Sequence, residues 1–274
     1  MNLKTFIEQG RLDFSKLYFG PDTGTAYSHS FGIAPEEFIT FAKADFFKAD
    51  KRGLVNALSN AKRAIDCQVD SFLLSLGLRP ENLDKQLGAK GVSSLSFGIQ
   101  ANGGPLKFRF LQALGIATPG IVSRMRRLRN LLEHEYKTPR KRDVGDAIDV
   151  AELFVQACKG KMNSVMHGIA FGSGLTKARG REQVAREFYI SFDNRLQPQF
   201  DVRFWDHDHI ARYGTGKSPC LTVTVGDEGF VPLMKLLWQA DWDKDMTDPL
   251  KCFLTELGLT LPRTKFRVRD RQAV

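Results

Sequence analysis

One short segment of the sequence combines side chains that could cleave a phosphodiester bond. Asn130 and His134 are four residues apart, so on a helix they share one face, and Arg126, Arg127 and Arg129 can flank it. An imidazole exchanges protons near neutral pH, and a guanidinium stabilises negative charge on a phosphorane-like transition state. The alternative is a solvated helix face whose last histidine interacts favourably with the helix dipole.

The spacing alone has little specificity, because Arg203 and His209 match it as well. The longer segment Arg129-Asn130-Leu131-Leu132-Glu133-His134-Glu135-Tyr136 resembles the signature of HEPN domains, small bundles of four or five helices. It is similar to the Arg-x4-His-x-Tyr form of that signature, which is seen in HEPN toxins. The stretch from Asn56 to Asp66 is similar to an early, Ala-rich HEPN helix, so the resemblance covers about residues 35–160.

The resemblance implies a metal-independent endoribonuclease without a cofactor, in a toxin-like or defence setting. Its substrate would be RNA, cut by attack of a ribose 2′-hydroxyl to leave a 2′,3′-cyclic phosphate. The resemblance implies His134 as the acid or base, Arg129 as the phosphate clamp, Asn130 as the orienting group and Tyr136 as an accessory or modification target. Two motifs in a homodimer usually build one composite site in this family.

Many HEPN domains are instead non-catalytic modules, which leaves two alternatives open. One is a nucleic-acid-binding or protein-assembly module. The other is an adaptor that contacts a regulatory protein partner through its Arg-His face.

The balance of charge favours a phosphate polymer as the partner. Lys and Arg number 40 against 31 Asp and Glu, which gives a net charge of +9. Much of the excess falls in two places, and we predict nucleic-acid binding by the basic residues there: Arg126, Arg127, Arg140, Lys141 and Arg142, and then Arg263, Lys265, Arg267 and Arg269. The second group, continued by Arg271, occupies alternate positions and would project to one side of an extended chain. A solvated tail or a charged edge strand is the alternative for that group.

Other candidate sites are weaker. His207 and His209 could present two imidazoles to a metal ion, but no third ligand can be assigned, so a polar loop is favoured and no metal is predicted. Contact of either histidine with RNA is a further alternative. The four cysteines are scattered without a CxxC pair, which indicates reduced structural thiols.

These residues must be positioned by helices and strands, and the sequence pattern predicts an α+β protein of three parts. Residues 1–34 are predicted as an N-terminal extension, residues 35–160 as an antiparallel helical bundle similar to HEPN domains, and residues 161–274 as a smaller mixed domain. We expect bundle helices over 35–46, 51–76, 119–136 and 143–159, with Phe41 and Leu153 among the residues of the apolar patterns. The mixed domain should contain an antiparallel sheet with strands over 188–192, 200–205 and 221–225, two helices, and a basic C-terminal strand or arm.

Composition and hydropathy exclude several classes of protein. Hydrophobic residues make up 42% of the chain, too many for a disordered polymer. No window reaches the roughly 18 uncharged apolar residues of a membrane helix, and the first residues lack the apolar core of a signal peptide. We therefore expect a cytoplasmic protein with no membrane partner.

Overall fold

The computed structural model describes residues 1–48, 50–97, 105–117, 120, 123, 127, 138–178, 181–207, 210, 218–241, 243–262 and 266–271. In these ranges the chain is a mixed α+β protein, which confirms the predicted class. It divides into two compact units. The sheet unit consists of Met1–Thr25, Asp84–Ile99 and Val165–Val274, and the helical unit of Ala26–Leu83 and Gln100–Ser164.

The regular elements are named here in chain order. The α-helices are α1 (Leu3–Gln9), α2 (Pro35–Lys48), α3 (Lys51–Ser75), α4 (Leu83–Ser94), α5 (Leu106–Ala113), α6 (Lys141–Met162), α7 (Phe230–Gln239) and α8 (Thr247–Glu256). The strands are β1 (Leu17–Pro21), β2 (Gly24–Thr25), β3 (Val165–Met166), β4 (Gly168–Ala178), β5 (Arg181–Asp193), β6 (Gln199–Asp206), β7 (Cys220–Thr224) and β8 (Val268–Asp270). A short 3₁₀ helix spans Pro80–Asn82.

Helices α2, α3 and α6 pack on one another in the helical unit, and α5 contacts α3. The side chain of Asp50 caps α3 by accepting the Gly53 N–H at 2.5 Å, and Gly77, with a φ of 76°, follows its end. The apolar stripe expected for this helix is buried throughout: Leu54, Ala57, Leu58, Ala61, Ile65, Val69, Phe72 and Leu73. The predicted bounds and inner face of α3 are therefore confirmed.

Two residues of the predicted apolar patterns lie outside the helical core. Phe41 is 43% exposed and Leu153 is 64% exposed. On α2 the buried side chains are Pro35, Ile39 and Ala42, and Phe41 is rotated about 100° away from Ala42. The prediction was wrong at both positions because an apolar residue beside a stripe need not belong to it.

The sheet unit is built on six strands in the order β7-β6-β5-β4-β1-β8. Two of the three strands expected from the sequence fall within β5 and β6, and the third, 221–225, matches β7 except that the strand ends at Thr224. The prediction of an antiparallel sheet was wrong at one edge, because β8 pairs parallel with β1. β1 itself lies in the part predicted as an extension, and the sheet unit is the larger of the two. Such pairing joins the two ends of the chain and leaves no local sequence signal.

The two faces of the sheet differ in chemistry. One face carries phenylalanines that meet the helices of the same unit: Phe188 lies 5.5 Å from Phe6 of α1, Phe200 lies 5.5 Å from Phe230 of α7, and Phe171 lies 6.1 Å from Phe253 of α8, between ring centroids. These rings form the core of the unit. The opposite face carries the polar side chains described below.

None of the helices in the described ranges is long and apolar enough to cross a bilayer.

Candidate functional site

The four residues predicted to be catalytic, Arg129, Asn130, His134 and Tyr136, lie outside the residues that the structure describes. The same is true of Arg126, Arg263 and Lys265 among the predicted nucleic-acid contacts, and of His209. In the sequence, the segment predicted to be catalytic falls between α5 and α6, both of which belong to the helical unit.

The residues on either side of that segment are basic and exposed. Arg127 is exposed, and so are Arg140, Lys141 and Arg142 at the start of α6. Arg140 is the N-cap residue and gives no side-chain cap, while the Lys141 ammonium lies 5.6 Å above the ring of Phe46. Cations beside the free N–H groups at a helix N-terminus form an environment that attracts anions. This end of α6 can therefore contact phosphate groups.

Ion pairs join the helices of this unit to one another. Lys43 of α2 binds Glu152 of α6 at 2.7 Å, and Lys159 of α6 binds Glu36 of α2. Lys107 of α5 binds Asp70 of α3 at 2.7 Å. Exposed pairs of this kind stabilise a fold by only about 0–1 kcal/mol each, so the buried stripe of α3 contributes more. These pairs involve lysines of α2, α5 and α6, whereas none of the three pairs involves Arg140, Lys141 or Arg142.

The basic C-terminal residues do not all serve the same purpose. Arg267 and Arg269 are exposed, as a phosphate contact requires, and Arg269 lies in β8 opposite Tyr18 of β1. Arg271 is different, because its guanidinium binds Glu187 at 2.8 and 3.1 Å. The alternate spacing predicted that all five cations would project to one side of an extended chain. One of them, Arg271, is instead engaged in a contact within the sheet.

Glu187 is the centre of a polar cluster on the sheet. Its side chain is only 9% exposed, and besides Arg271 it meets the Nε2 atom of His207 at 3.1 Å. A buried carboxylate is retained where charge-assisted hydrogen bonds satisfy both of its oxygens, as here. The sequence favoured a polar loop at His207 over a metal ligand or an RNA contact, and the structure gives this side chain a carboxylate partner on the sheet. Among the described residues, no three His, Cys, Asp or Glu side chains form a group that could hold a metal ion.

Tyr189 and Asp22 form a second contact on the same face. The Tyr189 hydroxyl donates to a carboxylate oxygen of Asp22, just after β1. Burial, and then the hydrogen bond to Asp22, raise the pKa of Tyr189 to about 12, so this phenol stays protonated near neutral pH. The pair ties β5 to the end of β1.

Lys235 forms a buried ion pair that sequence reasoning missed. It lies in the otherwise apolar helix α7 and binds the two carboxylate oxygens of Glu256 at 3.1 and 3.2 Å. Its ammonium also donates to the carbonyl of Ser94 and, at 3.3 Å, to that of Phe97. The one available signal was a lysine inside the run from Phe230 to Trp238. This cluster joins the end of α4 to α7 and α8, and all its hydrogen-bonding groups are engaged in structural contacts.

The elements and contacts together define an α+β protein with one helical unit and one unit built on a six-stranded mixed sheet. Compared with protein-family models, with curated proteins and with solved structures, the chain matches none.

Proposed function

We propose that this protein is a metal-independent endoribonuclease of the HEPN type. The observation that carries the proposal is the segment from Arg129 to Tyr136, with its Arg-Asn-x3-His-x-Tyr pattern, between two helices of the helical unit. The packing of α2, α3 and α6 and the Ala-rich inner face of α3 support an antiparallel bundle similar to HEPN domains. The exposed cations Arg127 and Arg140 to Arg142 near both ends of the segment support an anionic substrate.

The proposed reaction needs one proton acceptor, one proton donor and a clamp for the phosphate. A ribose 2′-hydroxyl attacks the adjacent phosphorus, the bond to the 5′-oxygen breaks, and a 2′,3′-cyclic phosphate remains. His134 moves the proton as acid or base, and Arg129 stabilises charge on the phosphorane-like transition state. Asn130 orients the reacting groups and Tyr136 assists. In a homodimer, two such motifs would form one composite site.

The first test compares two histidine variants. We expect His134→Ala to lower the rate of RNA cleavage by at least about a hundredfold, since general acid–base catalysis contributes roughly that much or more. His167→Ala is the matched control: His167 is exposed, directly precedes β4 and lies in the sheet unit, so its loss should leave the rate unchanged. Full cleavage by His134→Ala protein would contradict the mechanism.

A non-catalytic nucleic-acid-binding or assembly module is the second candidate. It is favoured by the described cations themselves, because Arg140, Lys141 and Arg142 are exposed for binding whether or not a bound strand is cut. Binding of labelled RNA without cleavage, in both the parent and the His134→Ala protein, would favour this candidate. An adaptor for a regulatory protein partner would bind no RNA at physiological salt.

A further inference from the structure

The polar face of the sheet presents aromatic and basic side chains from β5, β6 and the segment that includes β8. Pairing sets Arg203 of β6 opposite Tyr189 of β5, and Trp205 opposite Glu187. Beyond β5, the strands β4, β1 and β8 continue the same face. We call this surface the sheet platform and define it by six residues: Glu187, Arg203, Trp205, His207, Arg269 and Arg271.

We propose that the sheet platform binds single-stranded nucleic acid, with bases stacking on Trp205 and phosphates held by Arg203 and Arg269. The inference goes beyond the proposed cleavage, because the platform lies wholly in the sheet unit. Binding there needs none of the residues from Arg129 to Tyr136.

Small residues on the inner strands make the platform flat. A Cβ atom added at Gly168 of β4 would lie 2.8 Å from the hydroxyl of Tyr189, and one added at Gly20 of β1 would lie 2.9 Å from Cβ of Arg271. The side chains of Tyr189 and Arg271 therefore lie down over β4 and β1 instead of standing out from the sheet. A flat surface of this kind can accept planar bases and an extended backbone.

The carboxylate inside the platform does not oppose an anionic ligand. The side chain of Glu187 is 9% exposed, and its charge is compensated by Arg271, whose side chain is 41% exposed, and by contact with His207. Three other carboxylates of this face are also engaged: Asp22 accepts from Tyr189, Asp201 accepts from Thr222 at 2.9 Å, and Asp193, the last residue of β5, binds Arg195 at 2.7 Å. What the platform offers to solvent is thus guanidinium and imidazole groups.

Two aromatic rings share one orientation at the end of β6. The rings of Trp205 and His207 are inclined by only 7° with centroids 6.2 Å apart, and both side chains are partly exposed. The carboxylate of Glu187 fixes His207 through its Nε2 atom. Bases stack on such rings with little regard to sequence, because every base has a π face.

The free cations lie at the two ends of the platform. Arg203 and Arg269 are exposed, and neither forms an ion pair with a residue in the described part of the chain. Four strand spacings separate β6 from β8, which corresponds to about 19 Å. A strand that crosses the sheet can therefore place one phosphate at each end and its bases between them.

The test measures binding with cleavage blocked. Full-length His134→Ala protein is titrated against a fluorescein-labelled, mixed-sequence RNA strand of about ten nucleotides, and anisotropy is followed at several salt concentrations. We expect Trp205→Ala to weaken binding about tenfold with little change in the salt dependence, and Trp205→Phe to retain most of the affinity. Arg203→Ala should reduce the slope of log K against log salt by about 0.7.

Two exposed residues elsewhere provide matched controls. Phe47→Ala removes an exposed aromatic ring from α2, and Arg52→Ala removes an exposed guanidinium from α3. Both variants should bind as the parent does, and thermal unfolding checks that every variant is folded. Parental affinity in Trp205→Ala, or equal affinity for an RNA duplex of the same length, would overturn the inference.

Failure of one proposal can be told from failure of the other. If Trp205→Ala weakens binding but the unaltered protein leaves RNA intact, cleavage is refuted and the platform stands. If the protein cuts RNA and the platform variants bind normally, the platform is refuted and cleavage stands.

Discussion

Glu187 and Lys235 are the charged residues that the described part of the fold encloses most completely. As a whole residue each is 6% exposed, and each is held by a partner of opposite charge: Arg271 for Glu187, and Glu256 for Lys235. Removing one member of such a pair leaves a buried charge without compensation, which costs several kcal/mol. At the scale of the residue, burial decides which side chains hold the fold and which are left to bind a ligand.

Cys158 illustrates how burial controls a titration. Cys158 lies on α6 and is fully buried, and this burial raises the pKa of its thiol from 9.0 to about 12. In the unfolded chain the thiol ionises near its ordinary pKa, so between about pH 9 and 12 the unfolded state loses a proton that the folded state keeps. The contribution of this group to stability is thus fully present below pH 9 and is lost as the pH rises.

We predict a steeper loss of stability at high pH in the parent than in Cys158→Ala. Above about pH 9 the difference between their free energies of unfolding should change by about 1.4 kcal/mol per pH unit. Urea denaturation at pH 8, 9 and 10 measures it. Cys220→Ala is the control, since Cys220 is exposed, and should follow the parent. Parallel curves for Cys158→Ala and the parent would contradict the prediction.

At the scale of the element, the helices could be predicted more fully than the sheet. The stripes of α3 and α6 repeat every three or four residues over long stretches, which makes the pattern distinct from a strand. β4 was missed because Gly168, Gly172 and Gly174 dilute the β-branched and aromatic residues that mark a strand. β1 and β8 are short, and their pairing depends on residues at opposite ends of the sequence.

Close packing between β4 and β5 requires a glycine at position 172 of β4. A Cβ atom added at Gly172 would lie 2.1 Å from the carbonyl oxygen of Arg186 in β5, and 2.7 Å from Cβ of Glu187. We predict that Gly172→Ala destabilises the protein by at least about 2 kcal/mol, because the backbone of β5 must move. The same substitution at Gly160 of α6, where nothing lies within 4 Å, should stabilise it by about 0.5–1 kcal/mol.

The pair of glycine variants separates packing from backbone entropy. Denaturant unfolding of both proteins gives the two free-energy changes directly. If Gly172→Ala were as stable as Gly160→Ala, β4 and β5 would not approach as closely as the pairing of Gly172 with Glu187 requires.

At the scale of the whole molecule, each compact unit gathers separate stretches of the sequence. The sheet unit takes residues from the start, the middle and the end of the chain, and the helical unit takes two intervening stretches. Composition along the chain could indicate where helices give way to strands near residue 160. Composition could not assign residues 1–25 to the sheet unit, because that assignment rests on the pairing of β1 with β4 and β8.

The candidate sites were predictable to different degrees. The residues from Arg129 to Tyr136 carry a local motif, so the sequence alone yields their proposed roles. The sheet platform has no such motif, because Arg203, Trp205 and Arg269 share a surface only through the register of five strands. A one-residue change of register would turn these side chains to the opposite face.

Dimer formation yields a prediction of its own. If both subunits contribute to one composite site, inactive His134→Ala subunits should inactivate the parent subunits that they join. After exchange in an equal mixture, the activity should be about one quarter of that of the parent at the same total concentration. An activity of about one half, which two independent sites would give, would contradict a composite site. The dependence of the rate on the mixing ratio distinguishes the two.

The central claim is that the protein cuts RNA through its own Arg-Asn-x3-His-x-Tyr segment without a metal ion. The most direct measurement incubates a defined RNA with the full-length protein in excess EDTA and determines the product ends by mass spectrometry. The claim predicts 2′,3′-cyclic phosphate ends in EDTA, and their loss in His134→Ala. Cleavage that occurs only with a divalent metal, or products with 3′-hydroxyl ends, would contradict it.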